Sequence, residues 1–239
     1  MQSTDFEVAE VEDFAEALLN DRFPHLQLIT LGCAYEPLMG KDFERYPGAI
    51  QELHEKLKVR IVTNGALLHR KDIAPWVDFG LEKLYVSVYS HIPELYEGTA
   101  RGAGDFKQIE KNLLETRRRF PTLEITLTNP ISKANDVDIV GFCRWAFDYV
   151  GASSVDLRRA FFVEKPAAGY PAFTYTEAAT AELGRSPAIY DEEWSAILHS
   201  CTGYMTNSQK RTIKQTTEIR YDSIVLSAPS AVPVAVTAA

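Results

Sequence analysis

The chain has 239 residues, of which 46% are hydrophobic and 24% charged, a balance typical of a soluble globular protein. Its formal net charge of −8 argues against non-specific nucleic-acid binding through a basic surface. No stretch approaches the roughly 18 consecutive apolar residues of a membrane span, and the acidic N-terminus does not resemble a secretory signal. We therefore expect a cytoplasmic protein that binds neither nucleic acid nor membrane.

Helical and strand patterns alternate from about residue 5 to residue 165. In chain order the predicted elements are a helix over 5–20, a strand over 26–31, a helix over 42–57, a strand over 59–63, a helix over 71–78, a strand over 83–90, a helix over 105–120, a strand over 123–128, a helix over 135–149 and a strand over 154–162. The expected helix N-caps are Asp42, Asp105, and Asn135 or Asp136. This alternation indicates βαβ units, which build a doubly wound sheet or a barrel and bind ligands at the C-terminal ends of the strands.

The regular alternation ends near Glu164. We expect a loop over 166–185, a helix over 190–200, and a hairpin or edge strand over 211–226. The last stretch, 227–239, is low in complexity, and we expect it to be disordered. The sequence thus predicts an α/β domain followed by an irregular extension.

Polar residues follow the predicted strands, where a ligand would bind. Glu36 is a single carboxylate followed by a proline that fixes the backbone, and a carboxylate in such a place needs a cationic partner. Asn64 and Ser87 offer neutral donors and acceptors, and Arg101 lies in a glycine-flanked stretch from which it can pair with a ligand carboxylate. Together these groups would suit an amino-acid zwitterion. Each also has an ordinary structural interpretation, such as a simple turn after the strand.

Five segments follow one another in the chain: EPLM, VTNGALL, GLEKLYVSVYS, YEGTARGAGDFKQIEKNLLE and ISKANDVDIVGF. In order and spacing they resemble the core domain of the radical S-adenosylmethionine (SAM) superfamily, over about residues 5–163. The resemblance implies that Glu36 binds the amino group of SAM and that Asn64 belongs to the Thr-Asn-Gly strand end of the family. It further implies that Ser87 is a polar strand-end residue used for SAM and that Arg101 binds the methionine carboxylate.

The cysteines depart from this family. Its signature is a Cys-x3-Cys-x2-Cys loop whose three thiolates hold a [4Fe-4S] cluster, so the resemblance implies SAM and a [4Fe-4S] cluster as cofactors. Cys33, Cys143 and Cys201 are too far apart to form that loop, and an odd, sparse set does not indicate a disulfide framework. We therefore assign no metal ligands in this chain. The family also has a pair of glycines directly before the glutamate that binds SAM. In this chain the residues before Glu36, 32–35, are Gly-Cys-Ala-Tyr instead.

These observations predict a partial (β/α)6-type radical SAM barrel that is missing its first strand, plus an irregular C-terminal extension. We assign the partial barrel to 1–165, the extension to 166–226 and the disordered tail to 227–239. The helix predicted over 5–20 resembles the helix that follows the cluster loop in the family. We therefore expect Met1 to reflect a start site placed too late, or a gene fragment, rather than a natural cluster-free relative.

Three functions remain open. The first is a radical SAM-type enzyme, or a fragment of one, that with the cluster forms a 5′-deoxyadenosyl radical acting on an unknown small-molecule or peptide substrate. It implies an electron-donor protein as a partner, and its catalytic residues are unknown. The second is a cluster-free, degenerate barrel that binds SAM or a peptide, or acts as a scaffold. The third is an unrelated βα-barrel lyase or hydrolase, but the five histidines lack metal-ligand spacing and only His91 falls near a strand end.

Overall fold

The structure, a computed structural model, describes residues 7–19, 25–32, 36–53, 55, 57–100, 105–131, 135–159, 191–205 and 223–227. The helices are α1 (Val8–Leu19), α2 (Tyr46–Ala49), α3 (Ala74–Phe79), α4 (Pro93–Ala100), α5 (Phe106–Arg119), α6 (Ile139–Arg144), which continues as a π-helix (Trp145–Val150), and α7 (Asp191–Ser200). Short 3-10 turns occupy Pro37–Met39, Gln51–Leu53 and Thr202–Tyr204. The strands are β1 (Leu28–Leu31), β2 (Lys58–Thr63), β3 (Leu81–Ser87), β4 (Glu124–Ile131), β5 (Ser154–Arg159) and β6 (Ser223–Ser227).

The six strands form one sheet in the order β1-β2-β3-β4-β5-β6. β1 pairs in parallel with β2, and β2 pairs in parallel with β3, with Thr63 opposite Val86. β6 runs antiparallel to β5, with Leu226 opposite Val155. The predicted α/β class is therefore confirmed, and the stretch expected to form a hairpin or edge strand contributes the last strand of the sheet.

The described residues divide into two compact units. The first lies within Met1–Ser87, Gly102–Leu127 and Val150–Ser153, and the second within Val88–Arg101, Thr128–Tyr149 and Ser154–Ala239. In the first unit, β2 and β3 alternate between buried and more exposed positions, as expected of strands with one face in a core. The second unit contains α4, α6 with its π-helix, β5, α7 and β6.

Helix α5 forms as its sequence predicts. Asp105 is the N-cap, and its carboxylate accepts a hydrogen bond from the backbone N–H of Lys107 at 3.0 Å. Ile109 and Leu113 lie on the buried face, and burying each such side chain contributes about 1.5–3 kcal/mol. Arginines in the last turn interact favourably with the negative end of the helix dipole.

The long helix predicted over 42–57 is wrong, because among the described residues of that stretch only α2 is α-helical. Pro47 lacks a backbone N–H, and Gly48 adds the entropic cost of an unconstrained backbone, so the sequence around them does not support a longer helix. Asp42 is not an N-cap either. Its carboxylate instead accepts a hydrogen bond from the guanidinium of Arg45 at 2.9 Å.

The predicted cap at Asn135 or Asp136 is also wrong. Helix α6 is capped by Asp138, which has a φ of 55° and accepts a hydrogen bond from the backbone N–H of Gly141 at 2.9 Å. Asn135 is buried, and its amide donates to the carbonyl of Pro130 at 2.9 Å. The same amide also donates to the carbonyl of Tyr89, so a tertiary contact uses the residue that local capping rules favoured as a cap. Helix α4 lies where no element was expected.

Some expectations fall outside the described residues, namely the loop over 166–185 and the tail after Ser227. The helix expected over 190–200 corresponds to α7. Within the ranges that the structure describes, no helix is both long enough and apolar enough to cross a membrane.

We expect Asp138→Ala to lower the free energy of unfolding by about 1–2 kcal/mol, because alanine cannot cap α6 and disfavours a positive φ. Asp138→Asn should cost less, since asparagine caps helices and tolerates the left-handed region. Both variants remove the charge that lies 3.8 Å from His91, so their difference reports the cap together with the tolerance of a positive φ and not the charge. Urea unfolding followed by circular dichroism measures the two losses, and equal losses would contradict a capping role.

Candidate functional site

The carboxylate of Glu36 connects the chain after β1 to the C-terminal end of β2. Its Oε1 accepts hydrogen bonds from the backbone N–H of Leu38 at 3.1 Å and from the hydroxyl of Thr63 at 2.6 Å. Its Oε2 accepts from the backbone N–H of Asn64 at 2.7 Å. Hydrogen bonds to a charged acceptor are roughly twice as strong as neutral ones, so this group of four residues, the Glu36 cluster, holds the two strand ends together.

Among the residues that the structure describes, the donors to the Glu36 carboxylate leave one acceptor position open. A carboxylate has about four lone-pair sites on its two oxygens, and the chain's own donors occupy three of them. The remaining site is on Oε2, and the residue is only half-buried. The carboxylate can therefore accept one further hydrogen bond, such as that of a ligand ammonium group.

Two glycines permit the close approach of these strand ends. Gly32, directly after β1, has a φ of 106°, and a Cβ atom there would lie 2.1 Å from the carbonyl oxygen of Val62. Gly65 has a φ of 76°, and a Cβ atom there would lie 2.8 Å from Cγ1 of Val86. Any other residue would be strained at either position, so the Glu36 cluster requires glycine at both.

Asn64 has a structural role and one remaining donor group. Its side-chain Oδ1 accepts a hydrogen bond from the backbone N–H of Ala66 at 2.9 Å, which forms a local turn. The hydroxyl of Thr63 likewise accepts from the backbone N–H of Gly65 at 3.0 Å. Within the described residues, the Nδ2 group of Asn64 donates to no partner. That amide nitrogen is the part of Asn64 that can face a ligand.

Asn112 on α5 is a site residue that the sequence analysis does not identify. Its buried Nδ2 donates to the carbonyls of Gly65 at 2.8 Å and Ala66 at 3.2 Å, and its Oδ1 accepts from Gln108 at 2.8 Å. The signal that could have revealed it is an asparagine on the otherwise apolar face of a helix, since buried polar groups need partners. Asn112 therefore fixes the loop after β2 from the side of α5.

Ser87 is not one of the residues of the Glu36 cluster. Ser87 ends β3 and is half-buried, and it directly follows Val86, the partner of Thr63. Because successive strand residues point to opposite faces, the side chains of Ser87 and Thr63 project to opposite faces of the sheet. In the part of the chain that the structure describes, the Ser87 hydroxyl has no hydrogen-bond partner. Arg101 lies outside the described residues.

Two buried acceptors in the second unit lack donors within the described residues. They are Oδ1 of Asn129 in β4 and Oδ1 of Asp156 in β5. The other oxygen of Asp156 accepts from the guanidinium of Arg158 at 2.7 Å. A buried acceptor without a donor costs about 1–3 kcal/mol, so a ligand donor would be stabilised at either place.

The described residues do not fit a [4Fe-4S] cluster. Such a cluster requires three thiolates next to one another. Cys143 and Cys201 are both buried in the second unit and contact each other, whereas Cys33 lies outside the described residues. Among the residues that the structure describes, no three His, Cys, Asp or Glu side chains are placed to hold a metal ion.

Comparison with known proteins identifies similar folds. No protein-family model and no curated protein sequence matches the chain. The structure of TYW1 with a lysine-pyruvate adduct bound aligns with 93% of this chain and 67% of its own length, at 13% identity and a TM-score of 0.52. HydG, a maturase of the [FeFe]-hydrogenase, aligns with 89% of this chain and 48% of its own, at 9% identity and a TM-score of 0.52.

A crystal structure of archaeal TYW1 aligns with 64% of this chain and 53% of its own, at 12% identity and a TM-score of 0.44. The chain thus spans between about half and two thirds of the length of these proteins. At identities this low, the likeness to the structures with the higher TM-scores concerns the fold.

We expect Thr63→Val to lower the free energy of unfolding by about 1–2 kcal/mol, because it removes a hydrogen bond to a charged acceptor. In a Glu36→Ala background the same substitution should cost about 1 kcal/mol less, since the acceptor is already gone. Urea unfolding of the two single variants and the double variant gives this coupling energy. Strictly additive losses would mean that the hydroxyl and the carboxylate do not stabilise each other.

Asn112→Leu should lower the free energy of unfolding by about 2–3 kcal/mol, because it leaves the carbonyls of Gly65 and Ala66 without their donor. The matched control is Gln108→Leu, which removes the neighbouring amide but keeps both carbonyls paired, and we expect it to cost about 1 kcal/mol or less. Thermal or urea unfolding compares the two variants. A loss as large in the control would show that Asn112 does not specifically support the loop.

Proposed function

We propose that this chain, whose fold is that of radical SAM enzymes such as TYW1 and HydG, binds SAM at the ends of β1, β2 and β3 as part of a radical SAM-type enzyme. Its six-stranded, mostly parallel sheet matches a partial radical SAM barrel. The observation that carries the proposal is the Glu36 cluster, because it fixes a carboxylate with one remaining acceptor site at the ends of parallel strands, where this class of fold binds ligands.

Each residue at these strand ends has a chemical task in the proposal. Glu36 accepts a hydrogen bond from the ammonium group of SAM through Oε2. The Asn64 amide and the Ser87 hydroxyl donate to or accept from the polar groups of SAM, and Arg101 pairs with its carboxylate. Because the carboxylate is already held by three donors, little ordering is needed when the ligand arrives, and this favours affinity.

The proposal is limited to binding and orientation, since the described residues do not supply a cluster site. Three thiolates for a [4Fe-4S] cluster would have to come from outside these residues or from a second polypeptide. The complete enzyme would act on a small-molecule or peptide substrate and would need an electron-donor protein as a partner.

Titration calorimetry with the purified chain tests the role of Glu36. We expect Glu36→Gln to weaken SAM binding by about 10- to 100-fold, because it replaces a charge-assisted hydrogen bond to the ammonium group. Binding of 5′-methylthioadenosine, which lacks the ammonium and carboxylate groups, should be unchanged. The matched control is Glu82→Gln, the same substitution at an exposed position of β3.

The two ligands separate a binding role of Glu36 from a structural one. If the affinities for SAM and 5′-methylthioadenosine fall equally, Glu36 only supports the strand ends. If the unaltered chain binds neither ligand, the proposed SAM site is wrong. Loss of SAM affinity in the Glu82 control would point to a change in overall stability, which unfolding curves of the same samples measure.

A second candidate function is a cluster-free barrel that binds SAM or a peptide, or acts as a scaffold. It is favoured by the lack of a three-ligand group among the described residues. After anaerobic incubation with iron and sulfide, retention of about four irons per chain would favour the enzyme, whereas SAM binding without retained iron would favour this second function. Reading the DNA upstream of the Met1 codon in frame provides a check, because a strand followed by Cys-x3-Cys-x2-Cys there would favour the enzyme.

A further inference from the structure

Two buried thiols contact each other in the second unit. Cys143 lies on α6 and Cys201 directly follows α7, and both are fully buried. They are far apart in the sequence, yet each thiol shifts the pKa of the other, as neighbouring side chains do. A free cysteine usually behaves as a small buried hydrophobe, whereas a thiol that meets a second thiol can react with it.

The packing around the thiols holds them together. Phe147, one turn after Cys143 in the π-helix, stacks on Tyr204, with ring centroids 5.3 Å apart and an interplanar angle of 27°. Tyr204 lies in the 3-10 turn that follows α7. Its backbone N–H donates to the carbonyl of Cys201 at 3.0 Å, so the aromatic contact and the thiol contact belong to one turn of the chain. We call residues 191–205 the α7 segment. It is therefore packed against α6 and its π-helix through two pairs of side chains, Phe147–Tyr204 and Cys143–Cys201.

We propose that Cys143 and Cys201 are a site of reversible oxidation, at which a small-molecule disulfide such as oxidised glutathione converts them to an intramolecular disulfide that fastens the α7 segment to α6. The inference is independent of the proposed SAM site, because none of its residues lies in the Glu36 cluster. Among the described residues, no third metal-ligating side chain joins the two thiols, and this favours a disulfide over a metal site.

The reaction consists of two thiol–disulfide exchanges. The Cys201 thiolate attacks one sulfur of the small disulfide, which forms a mixed disulfide and expels one small thiolate. Cys143 then loses its proton to that thiolate and attacks the sulfur of Cys201, which forms the Cys143–Cys201 bond and expels the second small thiolate, and this thiolate takes up the proton that Cys201 had released to solvent. The two protein thiols give up two electrons and two protons, and the small disulfide becomes two thiols.

The environment of the pair assigns these roles. The hydrogen bond from Cys143 lowers the pKa of the Cys201 thiol, because it stabilises the thiolate, although burial opposes this shift. The same hydrogen bond, together with burial, raises the pKa of Cys143. Cys201 is thus the better first nucleophile. Since both side chains are buried, the oxidant reaches them when the α7 segment opens locally, so the reaction is slower than that of an exposed thiol.

The test uses the full chain with Cys33→Ser, which leaves only these two thiols. We expect incubation with oxidised glutathione under native conditions to consume both thiols and to retain no glutathione. Peptide mapping by mass spectrometry should identify one linkage, between Cys143 and Cys201, that a reductant reverses. Its rate should not depend on protein concentration, and the melting temperature should rise by about 5 °C or more, because the link constrains the unfolded chain.

A second variant keeps the proposal falsifiable. In the same background, Cys143→Ala removes the resolving thiol, so glutathione should remain bound at Cys201. Glutathione retained in the two-thiol protein, thiols that stay free, or a linkage between separate chains would each overturn the proposal. Circular dichroism of the alanine variant verifies its folding, and the linkage map of the two-thiol protein decides the matter even if that variant does not fold.

Discussion

The carboxylate of Glu36 accepts hydrogen bonds from the turn that follows it and from the end of the neighbouring strand, and the candidate site depends on this arrangement. A buried or half-buried carboxylate is costly unless donors surround it. Here the donors are two backbone N–H groups and one hydroxyl, all of which would otherwise need other partners. The carboxylate therefore provides acceptors for hydrogen-bond donors in the turn after β1 and at the end of β2, and these donors in turn hold it in one orientation.

The loop after β2 is fixed from two sides. Glu36 binds its first N–H, while Asn112 on α5 donates to the carbonyls of Gly65 and Ala66. Gly32 and Gly65 allow this because their positive φ values and missing Cβ atoms let the strand ends approach closely. A loop that is held through its backbone leaves side-chain groups, such as the amide nitrogen of Asn64, available for a ligand. The backbone hydrogen bonds that hold the loop in place thus leave this side-chain group unused among the described residues.

The second unit uses a different means to hold its C-terminal part. Its α7 segment packs on α6 and the π-helix through an aromatic stack and a pair of thiols rather than through a charged group. The aromatic stack is apolar and does not depend on orientation as strictly as a carboxylate cluster does. The thiol pair differs from the other contacts in that its chemistry can make it covalent.

The sequence by itself determined the alternation of strands and helices, because the spacing of apolar residues follows the period of each element. It also placed Glu36, Asn64 and Ser87 at or after the ends of strands, where the structure has them, and their role in binding a ligand stays a prediction. It failed for the helix expected over 42–57, where local composition resembled a helix but Pro47 and Gly48 limited it to one turn. Helix α4 escaped prediction because its eight residues carry little apolar periodicity.

Only the tertiary structure decided which groups meet. Thr63 is 27 residues from Glu36, and Asn112 is 47 residues from Gly65, so no local pattern pairs them. The contact between Cys143 and Cys201 likewise follows from the packing of α7 on α6. A sequence shows which residues can donate, accept or react, because that depends on their chemistry alone. Whether a donor finds its acceptor depends on where the chain brings them together, and the fold alone determines that.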